Sequence, residues 1–340
     1  MMTGTFKAIA AIAATTLAAS VAAAQGKIEL KASTFVPPTH WFLTDGYGPW
    51  AKELAERTKG AVEVRAFAGN SPFGNVANQA DQVSAGVMDI GWGLNGVPAG
   101  RYPRTSIMEL PLVATTAKGA AKTFASMLDS HLAADFKGFK LLNLNCTNAQ
   151  GFALREKTAQ KLDDLKGLRI RSPNNNVQAV LQHVGAVPVT MGPGQIYESL
   201  EKGTLDGATT GWDGVRGFRL ENIIKSYFAA RLTLTCFHIV MNEKKFESLP
   251  ADVRKAIDET TAKWVESFPV AWDKADALAR TSAKEKGVAE TVASDADLAE
   301  LRTRLKAVIE VQLAAIEKQG VPNARAIYEE MTKRAAQYDK

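Results

Sequence analysis

Arg169 and Arg171 flank Ile170 in the segment 168–171, which reads as a strand. Side chains alternate along a strand, so both guanidinium groups project to the side opposite Ile170. They are either charges on a solvated strand face or a rigidly held fork for a planar carboxylate, whose oxygens match paired N–H donors. Other local patterns offer less. Gly91-Trp92-Gly93-Leu94-Asn95-Gly96 has the spacing of a dinucleotide fingerprint. However, Val97-Pro98-Ala99-Gly100 and Pro103 follow where a helix would have to begin and hold the pyrophosphate. There is no G-x-S-x-G and no H-E-x-x-H, and His40, His131, His183 and His238 are scattered without metal-ligand spacing. No cofactor, metal or catalytic residue is therefore expected. His40 lies in Pro37-Pro38-Thr39-His40-Trp41-Phe42, an aromatic-rich loop after a strand, where α/β folds bind ligands. Cys146 and Cys236 form no C-x-x-C pair, so thiol redox chemistry and a zinc knuckle are unsupported. An oxidising compartment permits a disulfide between them; two buried free thiols are the alternative.

The elements that position these side chains follow from periodicity. The spacing predicts strands at 27–35, 61–68 and 87–91, with helices at 47–59 and 76–85 between them, a β-α-β-α-β series. Strands separated by helices of this length imply a sheet with parallel character. The pattern restarts with strands at 140–146, 168–171, 186–190 and 205–210 and helices at 177–184 and 195–202, which predicts a second α/β lobe. The remainder is helical: 251–286, with a kink expected at Pro269, and 294–319, opened by a Ser294/Asp297 capping box. The apolar faces of these helices read as core.

The chain has 340 residues, enough for two domains. Hydrophobic residues make up 46% and charged residues 23%, which excludes a disordered or fibrous chain. The net charge of +5 is spread among interleaved acidic and basic residues, so no nucleic-acid footprint is present. Residues 1–24 read as a signal peptide: Lys7, an alanine-rich apolar run, then Ala22-Ala23-Ala24 before Gln25. The apolar run is shorter than the ~20 residues that span a bilayer. A periplasmic location is expected.

Asp164-Leu165-Lys166-Gly167-Leu168-Arg169-Ile170-Arg171-Ser172-Pro173 resembles the D-L-K-G-x-K-I-R-x-P segment of solute receptors of TRAP transporters, the DctP type. Gly185-Ala186-Val187-Pro188-Val189, then Tyr197-Glu198-Ser199-Leu200-Glu201-Lys202-Gly203, then Leu205-Asp206-Gly207 are similar to the family's G-A-x-P-V, Y-x-A-L-x-x-G and V-D-G. Phe73-Gly74 with Gly86-Val87-Met88-Asp89-Ile90 upstream, and Asn242 to Pro250 downstream, continue the resemblance in order.

The resemblance implies a two-lobed periplasmic binding protein of type II-like α/β fold, with mixed sheets and a long C-terminal helical region bracing both lobes. It divides the chain into lobe 1 (25–147 plus about 238–268) and lobe 2 (148–237 plus part of 269–340). It implies a receptor that closes over an organic acid and delivers it to membrane permease subunits, as a monomer or weak dimer. It assigns the ligand carboxylate to Arg171. The family's second arginine, about sixteen residues before Gly167, has no counterpart in Gln150-Gly151-Phe152-Ala153-Leu154-Arg155. Burying an anion is costly unless it is paired and hydrogen-bonded. Asn95, Asn148 and Thr210 are candidate neutral partners, and Trp92, Trp212, Phe35, Phe73 and Trp41 are candidate walls, with His40 beside them. A single arginine among aromatics suits a monocarboxylate with an apolar or aromatic body. A dicarboxylate or sugar-acid receptor and a periplasmic sensor accessory are the rival readings, and a periplasmic hydrolase or lyase is a more distant one.

Overall fold

The computed structural model describes residues 27–339; the expected signal segment lies outside them. In chain order the strands are β1 (Ile28–Ser33), β2 (Val62–Phe67), β3 (Ile90–Leu94), β4 (Phe139–Cys146), β5 (Gly151–Leu154), β6 (Arg169–Ser172), β7 (Val187–Thr190), β8 (Gly207–Thr210), β9 (Ser226–Ala229), β10 (Cys236–Asn242) and β11 (Ala289–Val292). They form two mixed sheets, ordered β2-β1-β3-β10-β4 and β11-β9-β5-β8-β6-β7.

Both sheets begin from parallel units. β1 pairs parallel with β2 and β3, and β6 pairs parallel with β7 and β8. Parallel neighbours need a crossover, which the helices Tyr47–Arg57 and Gln79–Ser84 supply in the first sheet. In the second, Asn175–His183 and Ile196–Glu201 do the same. Helix Tyr47–Arg57 buries Tyr47, Trp50 and Leu54, spaced three and four residues apart, against the first sheet. Asn174 caps helix Asn175–His183, its side chain accepting the Val177 N–H at 3.0 Å. β2 is an edge strand with only Val62 buried.

The chain passes from the first sheet to the second between β4 and β5. It returns between β9 and β10, and β10 inserts antiparallel between β3 and β4. Cys146 and Cys236, opposite each other in the β4–β10 register, are joined by a disulfide. That resolves the alternative between a disulfide and free thiols.

Helix Ala251–Glu285 continues through Pro269 and packs on helices of both halves, Tyr47–Arg57 on one side and Trp212–Gly217 on the other. Helix Asp295–Lys318 starts at the Ser294/Asp297 capping box and packs against Asn175–His183. The final helix, Ala324–Tyr338, packs against Ala117–Met127. The helical C-terminus thus braces both lobes.

The glycine motif 91–96 carries strand packing. A Cβ at Gly93 would lie 2.6 Å from Nε2 of His238 on the neighbouring strand, and the chain leaves β3 in a turn without starting a helix.

Candidate ligand-binding site

Arg169 and Arg171 leave the same side of β6 toward different partners. Arg169 is exposed and lies against Asp206, with Nε and Nη2 donating to the carboxylate at 3.0 and 2.8 Å. Nη2 also donates to the Gly203 carbonyl. Arg171 is buried, and its Nη1 and Nε donate to the Thr209 and Met191 carbonyls at 3.1 and 3.2 Å. Among the described residues no carboxylate lies within ion-pair distance of it. Burial alone lowers its pKa to about 9, so it keeps its charge at neutral pH. The parallel register sets this geometry: Arg171 sits between Val189 of β7 and Ala208 of β8, and the chain just beyond each supplies a carbonyl.

Arg171 faces a cavity between the two sheets. About 470 Å³ is free of protein atoms, part of it open to solvent. The first lobe contributes Phe35 from the loop after β1, His40, and Trp92 from β3; the second contributes Arg171 and Thr210 at the end of β8. Trp92 stacks on Phe42 and Phe35, with centroids 3.4 and 4.7 Å apart, and leans on Phe237 at 5.0 Å. The His40 ring is buried, and desolvation lowers its pKa to about 3, so the imidazole is neutral. Nδ1 accepts the Phe42 N–H at 3.2 Å, which leaves the ring proton on Nε2. Thr147 and Gln150, on the connection from β4 to β5, and Thr235, before β10, add polar groups. Toward solvent the cleft widens between the loops 69–77 and 190–195.

The other residues singled out from the sequence lie elsewhere. Trp212 packs in the second lobe, stacked on Tyr227 at 4.0 Å with Nε1 donating to Glu290. Trp41 stands edge-on to Trp272 in the first-lobe core. Phe73 packs edge-on against Phe67. Asn95 bonds the His238 ring at 3.0 Å. Asn148 is used up structurally: its oxygen accepts the Ala117 N–H, and its amide donates to Asp273 and Asp276. Sequence reasoning missed Phe237, Trp272 and Asp213, which also line the cavity. Trp272 repeats the four-residue spacing of Trp264 and Phe268, a period that core packing already explains.

The arrangement can hold an anion on a preoriented guanidinium and cover an apolar body with aromatic rings. A marine metagenome TRAP solute-binding protein, crystallised with metahydroxyphenylacetate, is 26% identical, with a TM-score of 0.85 over 92% of this chain and 100% of that one. A TRAP solute-binding protein from Rhodoferax ferrireducens, with copurified benzoate, is 25% identical, with a TM-score of 0.86 over 92% of this chain and 98% of that one. A solute-binding protein of Albidiferax ferrireducens is 25% identical over 248 residues, 72% of each chain. Residues 33–315 match the DctP family, described as bacterial extracellular solute-binding protein, family 7. With that match and a TRAP receptor fold over almost its whole described length, the chain belongs to the DctP family of extracellular solute-binding proteins, the receptors of TRAP transporters.

Proposed function

We propose that this receptor captures a monocarboxylate with an aromatic body and presents it to membrane permease subunits. The observation that carries this reading is the cavity itself: aromatic walls around Arg171, the one arginine or lysine among the residues lining it. Arg171 is already desolvated and held by two carbonyls, so little is lost in ordering it when the carboxylate arrives. A short dicarboxylate would require a second cation, and the lining supplies none. The ligands of the two structural relatives, both aromatic acids, support the same reading.

In this proposal the chain is exported through a cleavable signal at 1–24, and Arg171 anchors the ligand carboxylate, with Thr210 and the His40 N–H as neutral donors. Phe35 and Trp92 hold the body. The lobes divide as 25–147 plus about 238–268, and 148–237 plus part of 269–340. The protein works as a monomer or weak dimer and returns its ligand unchanged.

Calorimetric titration of the mature protein with aromatic monocarboxylates, aliphatic acids, dicarboxylates and sugar acids tests this. The expected result is a preference for aromatic monocarboxylates that weakens at least about a hundredfold in Arg171→Met, since hydrogen bonds to a charged partner contribute about 1.5–3 kcal/mol each. Binding of dicarboxylates alone, or unchanged affinity in Arg171→Met, would overturn it.

A further inference from the structure

The cavity contains a second ionisable group that holding a bare aromatic carboxylate does not use. Asp213 follows β8 at the start of the short helix Trp212–Gly217 and lines the same cavity as Arg171. Its side chain is buried, and among the described residues Oδ1 has no hydrogen-bond partner. Its backbone is fixed, because the Asp213 N–H donates to Oδ1 of Asp276 on the long helix at 2.8 Å. Asp276 is itself held by Asn148 at 3.0 Å. Burial and then the Asp276 charge push the Asp213 carboxyl well above the ordinary range, with the Gly214 N–H opposing. Among the described residues Arg171 forms no ion pair with Asp213 and donates only to the Met191 and Thr209 carbonyls, so the two stand as separate anchors in one cavity.

A buried carboxyl oxygen without a partner is unfavourable unless something completes it. Ionised, both carboxyl oxygens accept; protonated, the group keeps one accepting oxygen beside its O–H, and at that oxygen a donor completes it. We propose that Asp213 is a specificity-determining residue that accepts a hydrogen bond from a hydroxyl on the bound acid, so that the preferred ligand is a hydroxylated aromatic acid. The inference rests on the carboxylate-receptor reading above. It adds that an analogue without the hydroxyl leaves a buried acceptor unpaired and is disfavoured for that reason. A second carboxylate at this point would meet Asp213 itself.

The test is equilibrium binding of the mature protein to matched acids: benzoate, its three hydroxy isomers and the corresponding methoxy compounds, which keep the oxygen and lose the donor. In the wild type at least one hydroxybenzoate is expected to bind about ten- to a hundredfold tighter than benzoate, and its methoxy counterpart no tighter than benzoate. In Asp213→Leu the ratio of hydroxybenzoate to benzoate affinity falls toward one. Asp213→Asn, which keeps a carbonyl acceptor, retains part of the ratio, so a collapse confined to Leu is not a folding defect. Equal affinities in the wild type, or a ratio that survives Asp213→Leu, would overturn the proposal. Failure of every acid to bind the wild type, or binding of all acids by Arg171→Met as by the wild type, marks the failure of the receptor reading and takes the proposal with it.

Discussion

Two arginines two residues apart on one strand illustrate how a protein separates a structural charge from a binding charge. Arg169 meets the Asp206 carboxylate in a two-point contact at the surface and is satisfied within the chain. Arg171 receives only carbonyls, which orient a guanidinium without neutralising it, so its charge remains available to a ligand. Burial leaves other marks at this scale. Glu109, at the end of the 3-10 turn Thr105–Glu109, is fully buried, and its one hydrogen bond at Oε1 comes from the Cys236 N–H at 2.9 Å. Desolvation, only partly offset by that bond and by the Asn174 side chain, pushes its pKa up to about 8. The folded state therefore binds this proton more tightly than the unfolded chain does. The stabilising contribution is complete below the ordinary glutamate pKa of about 4.3 and is lost as pH rises through 8. Glu109→Gln keeps an oxygen for the Cys236 N–H and has no charge to desolvate. Melting curves should show it more stable than the wild type at pH 9 by up to a few kcal/mol, with the difference gone or reversed by pH 5.

Among the elements, the Cys146–Cys236 bond joins β4 and β10 where the two connections between the sheets leave the first sheet. It closes a loop whose ends are 90 residues apart in sequence and which contains β5 to β9. The chain-entropy model gives about 4–5 kcal/mol for a loop of that length. Urea unfolding with and without reductant should show a loss approaching this, and the Cys146→Ala/Cys236→Ala protein should match the reduced wild type. A loss under 1 kcal/mol would mean that the β4–β10 ladder alone holds the crossing. The elements also show what was readable from the sequence. Helix Asp295–Lys318 was legible from its cap and long apolar stripe, and the β-α-β-α-β series from its alternation. β5, β9 and β11 were not: four residues are too short to display a period, and the equally short β6, β7 and β8 were legible from the segments ending in Gly167, Gly185 and Gly203 that lead into them. The cavity divides the same way. Arg171 was legible through the resemblance of 164–173 to the family segment; the alternation of Arg169, Ile170 and Arg171 by itself left a charge on a solvated strand face open. Phe35, His40 and Thr210 sit at strand ends and in strand-end loops, where ligands are expected, and Trp92 lies within β3. Phe237 and Trp272 lie within a core strand and a core helix, and only tertiary folding brings them to the cavity. Trp41 and Trp212 show the converse: an aromatic beside a site in sequence is as readily core, as both are.

For the whole molecule, the cavity walls belong to different halves of the chain, so ligand binding and the relation of the two lobes are one equilibrium. Phe35, His40 and Trp92 come from the side of the first sheet, Arg171 and Thr210 from the second. His40 approaches the helix Trp212–Gly217 so closely that a Cβ at Gly217 would lie 2.3 Å from its Nε2. An acid held at once by a second-lobe guanidinium and first-lobe rings favours the arrangement in which both reach it, and shifts the population by its difference in affinity for the two arrangements. Two consequences can be measured together. At a hundredfold excess over Kd the ligand should stabilise the protein by about 2.7 kcal/mol, seen as a melting temperature that rises with the logarithm of ligand concentration. Small-angle scattering of the same samples should show a smaller radius of gyration with ligand than without. In Arg171→Met both effects should disappear at that ligand concentration, because the ring contacts remain on the first lobe while the second loses its hold. Stabilisation without compaction would mean that the lobes already rest in their closed relation, with the C-terminal helices across both halves setting their spacing in place of the ligand.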